Sequence, residues 1–254
     1  MHEENSYESQ SLLAEYLLLH YGNKKDIFAS LPGPTEALNF PKRSVHQLID
    51  KASSPSHALD LGCAVGRSTF ELSQLAKKVI GIDFSSTFIT AAKTLLKERK
   101  ISCKIPIEGN IFNNFNAYLP QNLSQNQNIH FEVGDACNLR PDLGSFDLVH
   151  AANLLCRLPR PQALLNKLSH LVNPGGQLLL TTPFTWLHEY TPTEHWIGAQ
   201  NAKSQNTRDS LIQKLSVNFT LEKEINLPFI IREHARKFQY TIAWGTRWRR
   251  LTSQ

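Results

Sequence analysis

The segment Ala58-Leu59-Asp60-Leu61-Gly62-Cys63-Ala64-Val65-Gly66 runs an apolar stretch into an acid and then into a turn built on two glycines. Gly62 and Gly66 let the backbone turn tightly and approach a ligand closely. The turn opens a helix, whose N-terminus offers free amides to a polar ligand. Asp60 is placed to meet an ammonium group, and Cys63 and Ala64 count with the glycines as ligand contacts. Ala64 holds the middle position, so the spacing departs from the GxGxxG of dinucleotide sites.

Three more acids stand where strands are expected to end. Gly81-Ile82-Asp83 lies roughly 20 residues beyond the turn, where a ribose diol is held in folds of this type, and Phe84 follows as a cofactor contact. In Gly134-Asp135-Ala136, Asp135 is a candidate acceptor for the adenine amine, with Ala136 beside it. Phe146-Asp147-Leu148-Val149, with Asn153 just beyond, is read as ending the fourth strand at the reaction centre. A lone acid at a strand end commonly caps a helix. Four aimed at one ligand that carries an ammonium, a diol and an adenine point to S-adenosylmethionine. Arg43, in Phe40-Pro41-Lys42-Arg43, is the candidate clamp for that cofactor's carboxylate.

These residues need a scaffold, and the hydrophobic pattern supplies one. Leu12, Leu13, Tyr16, Leu17 and His20 fall at helical spacing with Gly22 as a stop. A second helix is expected from about Lys42 to Lys51. Strand and helix patterns then alternate: strands at 57–61, 79–82, 129–133, 146–151 and 177–182, and helices at 68–76, 86–99 and after Pro161. Such βαβ alternation predicts a Rossmann-like α/β fold, mostly parallel with an antiparallel C-terminal edge and helices on both faces. One domain is expected over 1–254: an N-terminal helical segment (1–52), a cofactor-binding core (57–182), then a lid and C-terminal strands (183–254). Asn110–Asn128 reads as a surface insertion, Pro183–Asn206 as the lid, and Ala235–Trp248 as one long strand.

Composition sets the outer bounds. The chain has 254 residues, 41% hydrophobic and 19% charged, which suits a protein with a real core. No apolar run approaches the roughly 20 residues of a membrane span, and Met1–Asn5 is polar rather than a secretory leader; a cytoplasmic protein is expected. The four cysteines form no CxxC pair, so no metal site or disulfide framework is expected. The net charge is +5, and six basic residues (Arg232, Arg236, Lys237, Arg247, Arg249, Arg250) face one acid, Glu233, near the C-terminus. Charge runs are weakly specific; nucleic acid is not the expected partner, though a methyltransferase acting on RNA is the alternative they suggest. A non-catalytic protein that binds S-adenosylmethionine is another.

The order of motifs, including Pro174-Gly175-Gly176 before the fifth strand, resembles the class I S-adenosylmethionine-dependent methyltransferases. A narrower resemblance is to the methyltransferase of ovothiol biosynthesis, which methylates an imidazole nitrogen of 5-thiohistidine (4-mercaptohistidine). It rests on Leu59 to Ser68, Ala151-Ala152-Asn153-Leu154-Leu155-Cys156-Arg157-Leu158-Pro159, the run from Pro183 to Pro192, the run from Pro228 to Gln239, and His20-Tyr21-Gly22. Many members fuse this domain behind an iron-dependent sulfoxide synthase; here the synthase is expected to be a separate protein.

Such a substrate is a zwitterion with a heteroaromatic ring and a thiolate. Tyr21, Trp186 and Tyr190 are candidates to stack the ring, and Arg157 or Arg232 to hold its carboxylate. Glu233 and His234, or His188 and Glu189, are candidates for its ammonium or ring N–H. Glu233, His234 and Asn153 are the expected catalytic groups, in a single in-line displacement that needs no metal.

Overall fold

Each element follows from a local signal. In the computed structural model, which describes residues 6–123 and 128–252, Ser9 caps α1 (Gln10–Tyr21) by accepting a hydrogen bond from the Leu12 amide. Gly22 closes that helix in an extended conformation, and a Cβ there would lie 2.5 Å from the Leu18 carbonyl oxygen. The helix is followed by α2 (Lys24–Phe28) and α3 (Phe40–His46). The Met1–Asn5 segment and residues 124–127 of the expected insertion lie outside the described residues.

The alternation then proceeds through β1 (His57–Leu61), α4 (Arg67–Leu72), β2 (Lys78–Asp83) and α5 (Ser86–Glu98). It continues through β3 (Lys100–Glu108), β4 (Ile111–Tyr118), β5 (Ile129–Val133), β6 (Phe146–Ala152), α6 (Pro161–Leu171) and β7 (Val172–Thr182), and ends with α7 (Thr207–Leu215), β8 (Phe219–His234) and β9 (Lys237–Arg250). Seven strands form one sheet in the order β5-β2-β1-β6-β7-β9-β8. The first five are parallel, and β9 enters antiparallel between β7 and β8. This is the Rossmann-like methyltransferase sheet with an antiparallel edge. Side chains alternate along β1: Leu59 and Leu61 pack beneath α6 and α7, while Ala58 packs beneath α3 and α4. A third cluster joins α1, α5 and the β3–β4 hairpin.

Several expectations are corrected. Half of the Asn110–Asn128 stretch is not loop but β4, which pairs antiparallel with β3 in a separate two-stranded sheet. Its asparagines, Asn113, Asn114 and Asn116, are all exposed, which hides the strand pattern. The single strand expected at Ala235–Trp248 is the second half of a long hairpin, because β8 turns at its tip into β9. The helix after Pro161 ends at Leu171, and β7 already includes Pro174-Gly175-Gly176. No helix among the described residues is long and apolar enough to cross a membrane.

Candidate functional site

β1, β2 and β6 all end at one edge of the sheet, and the glycine turn follows β1 there. Gly62, Ala64 and Gly66 have φ of 69°, 48° and 87°, the left-handed region that glycine enters without penalty. The amides of Gly62 and Cys63 donate to the Ile82 carbonyl at 2.8 and 3.1 Å, which ties the turn to β2. A Cβ on Gly62 would approach Leu154 Cδ1 to 2.9 Å, so the loop after β6 presses directly on the turn.

Asp83 ends β2 beside this turn. Its Oδ2 accepts from the Ala64 amide and its Oδ1 from the Ser85 amide, both at 2.9 Å. Burial pushes its pKa up to about 6, against those two hydrogen bonds. Phe84 follows with 64% of its surface exposed, a large apolar face at a polar edge. Asp135 ends the β5 connection and accepts from the Cys137 amide at 2.8 Å, with Ala136 buried beside it. Asn153 adopts φ 53° just past β6, and Thr181 Oγ1 donates to its Oδ1 at 2.8 Å. Asp83, Phe84, Asp135, Asn153 and the turn therefore converge on one edge.

Two of the expected cofactor contacts are engaged elsewhere. Asp60 is 1% exposed and faces inward: Ser68 Oγ and Thr69 Oγ1 donate to its Oδ2 at 2.7 and 2.6 Å, and His150 Nδ1 lies 2.7 Å from its Oδ1. At 1% exposure Asp60 offers no free surface to an ammonium and builds the turn from below. Arg43 donates through Nε to the Leu38 carbonyl at 2.8 Å and through Nη2 to the Pro228 carbonyl, bracing α3 against β8. Asp147 begins β6 rather than ending it, at the opposite edge, where the Ser56 and His57 amides donate to its carboxylate. Cys63 is fully buried and its thiol pKa is pushed well up by burial, as befits a residue that fills the turn.

Of the substrate candidates, Arg157 and Tyr190 come together: the guanidinium sits 4.6 Å from the ring centroid. Tyr7 joins them, 5.9 Å from Tyr190 and 6.2 Å from Tyr16, and Tyr16 lies 4.7 Å from Phe88. Burial raises the Tyr7 pKa far above its usual range and that of Tyr16 to about 12, so both hydroxyls stay protonated. Tyr7 is fixed because Glu8 accepts hydrogen bonds from Ser86 and Thr87 at the start of α5, while Ser85 Oγ donates to the Tyr7 carbonyl. Tyr21 reaches the turn itself, its hydroxyl donating to the Val65 carbonyl at 2.9 Å.

The remaining candidates are seated away from this edge. Trp186 is 9% exposed, donates to Thr207 Oγ1 at 2.9 Å and stacks on Trp196, so it anchors the 183–206 segment in the core. His188 lies within hydrogen-bond distance of Thr193 inside the same segment, which also carries Glu189. Arg232 is 7% exposed and donates to the carbonyls of Asp26 and Pro106 at 2.6 and 3.3 Å, a brace between α2 and β3. Glu233 pairs with Lys237 at 2.6 Å and accepts from Gln239, and Lys237 holds its carboxyl below the usual range. His234 accepts from the Arg236 amide. The hairpin tip thus spends its polar groups on itself. The basic C-terminus is also largely spent internally: Arg247 and Arg249 pair with Glu222, Arg249 also with Asp50, and Arg250 donates to the Asn218 carbonyl.

Sequence reasoning missed Tyr7, Tyr16, His20 as a site residue, and Arg67. Arg67 follows Gly66, is 8% exposed, and pairs with Glu71 at 2.9 Å while its guanidinium lies 5.7 Å from the Tyr21 ring centroid. The available signal was that Tyr16 and His20 are polar residues on an otherwise apolar face of α1 and that Arg67 directly follows the glycine turn.

The chain matches the model of the methyltransferase domain family over residues 35–216. It is 31% identical over 124 residues to a demethylmenaquinone methyltransferase of Lactococcus lactis, covering 48% of this chain and 39% of that one. It is 25% identical over 126 residues to a ubiquinone biosynthesis O-methyltransferase of Coxiella burnetii, covering 50% and 43%. The chain thus spans less than half the length of these curated relatives. Among solved structures it resembles an S-adenosylmethionine-dependent methyltransferase of Methanosarcina mazei, with a TM-score of 0.54 and 18% identity over 82% of this chain and 97% of that one. It also resembles the N-methyltransferase NodS of Bradyrhizobium japonicum bound to S-adenosylhomocysteine, with a TM-score of 0.50 and 16% identity over 83% of each chain.

Proposed function

The chain belongs to the methyltransferase domain family, and we propose that it is an S-adenosylmethionine-dependent enzyme that methylates an imidazole nitrogen of 5-thiohistidine. The observation that carries the substrate reading is the cluster of Arg157 with Tyr7, Tyr16 and Tyr190 beside the cofactor edge. A guanidinium among rings suits a ligand that is flat, aromatic and anionic. The resemblance of the Ala151–Pro159 and Pro183–Pro192 segments to the ovothiol methyltransferase supports the same choice.

The cofactor fits the residues present. Asp83, partly exposed beside the turn, would take the ribose hydroxyls, the exposed Phe84 would flank the adenine, and Asp135 would accept its amine. Bound S-adenosylmethionine supplies an electrophilic methyl, and the acceptor nitrogen forms the N–C bond as the C–S electron pair returns to sulfur. Arg157 holds the acceptor's negative charge and Tyr190 covers its ring. Asn153, locked by Thr181 just past the end of β6, would stand beside the acceptor and the methyl. An acceptor that enters as a thiolate with a neutral ring leaves as a thiolate with an imidazolium, so no base has to remove a proton. That frees Glu233 and His234 from the catalytic role. The thiolate is the stronger nucleophile, and orientation must favour nitrogen; positioning of this kind is worth about 7–11 kcal/mol. In this reading an iron-dependent sulfoxide synthase makes the thiolated substrate.

Incubation with methyl-labelled cofactor and 5-thiohistidine tests the proposal. The expected product carries the label on nitrogen and keeps a thiol that reacts with an alkylating probe. An S-methylated product, or faster turnover of histidine, would overturn it.

A further inference from the structure

Three buried polar atoms among the described residues lack a hydrogen-bond partner: His20 Nδ1, Asn128 Oδ1 and Arg232 Nε. Arg232 belongs to the brace on α2 and β3, and Asn128 lies at the start of β5, where its amide donates to the Ala76 and Lys77 carbonyls. His20 is different, because it stands at the candidate site. Its ring centroid is 6.0 Å from that of Tyr16 and 6.2 Å from that of Tyr21. Tyr21 holds the glycine turn through Val65, and Tyr16 leads through Tyr7 to Tyr190 and Arg157. His20 therefore stands between Tyr21, which holds the glycine turn, and Tyr16, which belongs to the aromatic cluster of the candidate acceptor site.

A side chain only 7% exposed with an unpaired ring nitrogen is costly unless a ligand completes it. Burial, reinforced by the Arg67 charge, takes the His20 pKa down to about 3, so the ring is neutral near pH 7 and one nitrogen always offers a lone pair. The position is also held from the backbone, since Arg67 Nη1 donates to the His20 carbonyl at 3.3 Å.

We propose that His20 is a positioning residue for the acceptor: its unpaired Nδ1 accepts a hydrogen bond from the N–H of the acceptor's imidazole ring, turning the other nitrogen's lone pair toward the methyl. This rests on the reading of the acceptor as a thiolated imidazole. The contact sets which of three nucleophiles reacts, because the ring then cannot rotate its sulfur into line. No proton leaves His20 and none is gained.

The test compares wild type with His20→Phe, which keeps the ring's bulk, and His20→Asn, which restores an acceptor near Nδ1. With 5-thiohistidine as substrate, His20→Phe is expected to raise KM at least tenfold or to yield S-methylated product. Its affinity for S-adenosylhomocysteine should stay within twofold, and His20→Asn should recover the nitrogen product. If KM and the product ratio stay unchanged, or if cofactor affinity falls in step with activity, the proposal fails. Nitrogen-15 spectra of the histidine rings in wild type, with S-adenosylhomocysteine and 4-mercaptoimidazole added, give a reading that needs no turnover and no variant that folds. A shift of the Nδ1 resonance of His20 supports the contact, and an unmoved resonance at saturating probe overturns it. If wild type fails to methylate 5-thiohistidine yet that resonance shifts, the substrate assignment falls while the role of His20 stands.

Discussion

His150 Nδ1 lies 2.7 Å from Asp60 Oδ1, joining β6 to β1 directly beneath the glycine turn, and both side chains are almost fully buried. On the far side of the ring, Ser44 Oγ is 3.0 Å from His150 Nε2, so the line continues into α3. His150→Leu leaves a buried carboxylate short of one partner. It is expected to destabilise the protein by about 3–5 kcal/mol, read from denaturant unfolding. A loss below about 1 kcal/mol would mean that Ser68 and Thr69 satisfy Asp60 by themselves.

Asp83 should make cofactor binding depend on pH. Its pKa in the folded protein is raised to about 6, from an ordinary 3.8. Ribose hydroxyls bind the ionised carboxylate, so affinity for S-adenosylhomocysteine should be full above pH 6 and fall as pH drops through it. The limiting slope is tenfold per pH unit. Asp83→Asn should weaken binding more than tenfold at pH 8, since each hydrogen bond to a charged group is worth about 1.5–3 kcal/mol, and should flatten the dependence. Calorimetry at pH 5 and pH 8 decides; equal affinities in wild type would remove Asp83 from the site.

His20 should limit acid stability. Its folded pKa, about 3, lies below the ordinary 6.5, so the unfolded chain binds the proton first. Stability should therefore decline as pH falls from about 6.5 toward 3, and His20→Phe should lessen that decline. Parallel pH profiles for the two proteins in thermal melts would show that the ring protonates without cost.

Arg232 should matter for stability and not for the acceptor. Its guanidinium serves two backbone carbonyls, of Asp26 and Pro106. Arg232→Ala is expected to cost at least about 2 kcal/mol, from lost hydrogen bonds to a charged donor, with KM for the acceptor within twofold of wild type. Arg157→Ala should behave in the opposite way, raising KM tenfold or more while leaving S-adenosylhomocysteine affinity nearly intact. The reverse pattern in steady-state kinetics would return the carboxylate to Arg232.

The 183–206 segment should close in part. Trp186 pins its base in the core, while Tyr190 reaches Tyr7 across the site and Leu187 is exposed. Proteolysis near Leu187–Tyr190 should slow when S-adenosylhomocysteine and acceptor are both present. Equal cleavage rates with and without ligands would make the segment a fixed loop.

What the sequence determined by itself is local and periodic. Alternating apolar runs dictate strands and helices, and the glycine turn, Asp83, Asp135 and Asn153 each follow a strand within a few residues, so a strand end delivers them to one edge. The exposed asparagines of β4 break the pattern, and only pairing with β3 defines that strand. Polar side chains far from the turn in sequence were decided by tertiary structure alone. Asp60 looks like a ligand contact in the motif, but Ser68, Thr69 and His150, brought together from α4 and β6, consume its hydrogen bonds. Arg43, Arg232 and Trp186 look equally available in sequence, yet each meets a partner from a distant element: the Pro228 carbonyl, the Asp26 and Pro106 carbonyls, and Thr207. Conversely, Tyr7 and His20 enter the site only because α1 and the segment before it dock over α5 and the turn. A side chain's type says what it can bind; only the folded contacts say whether its donors and acceptors are already spent.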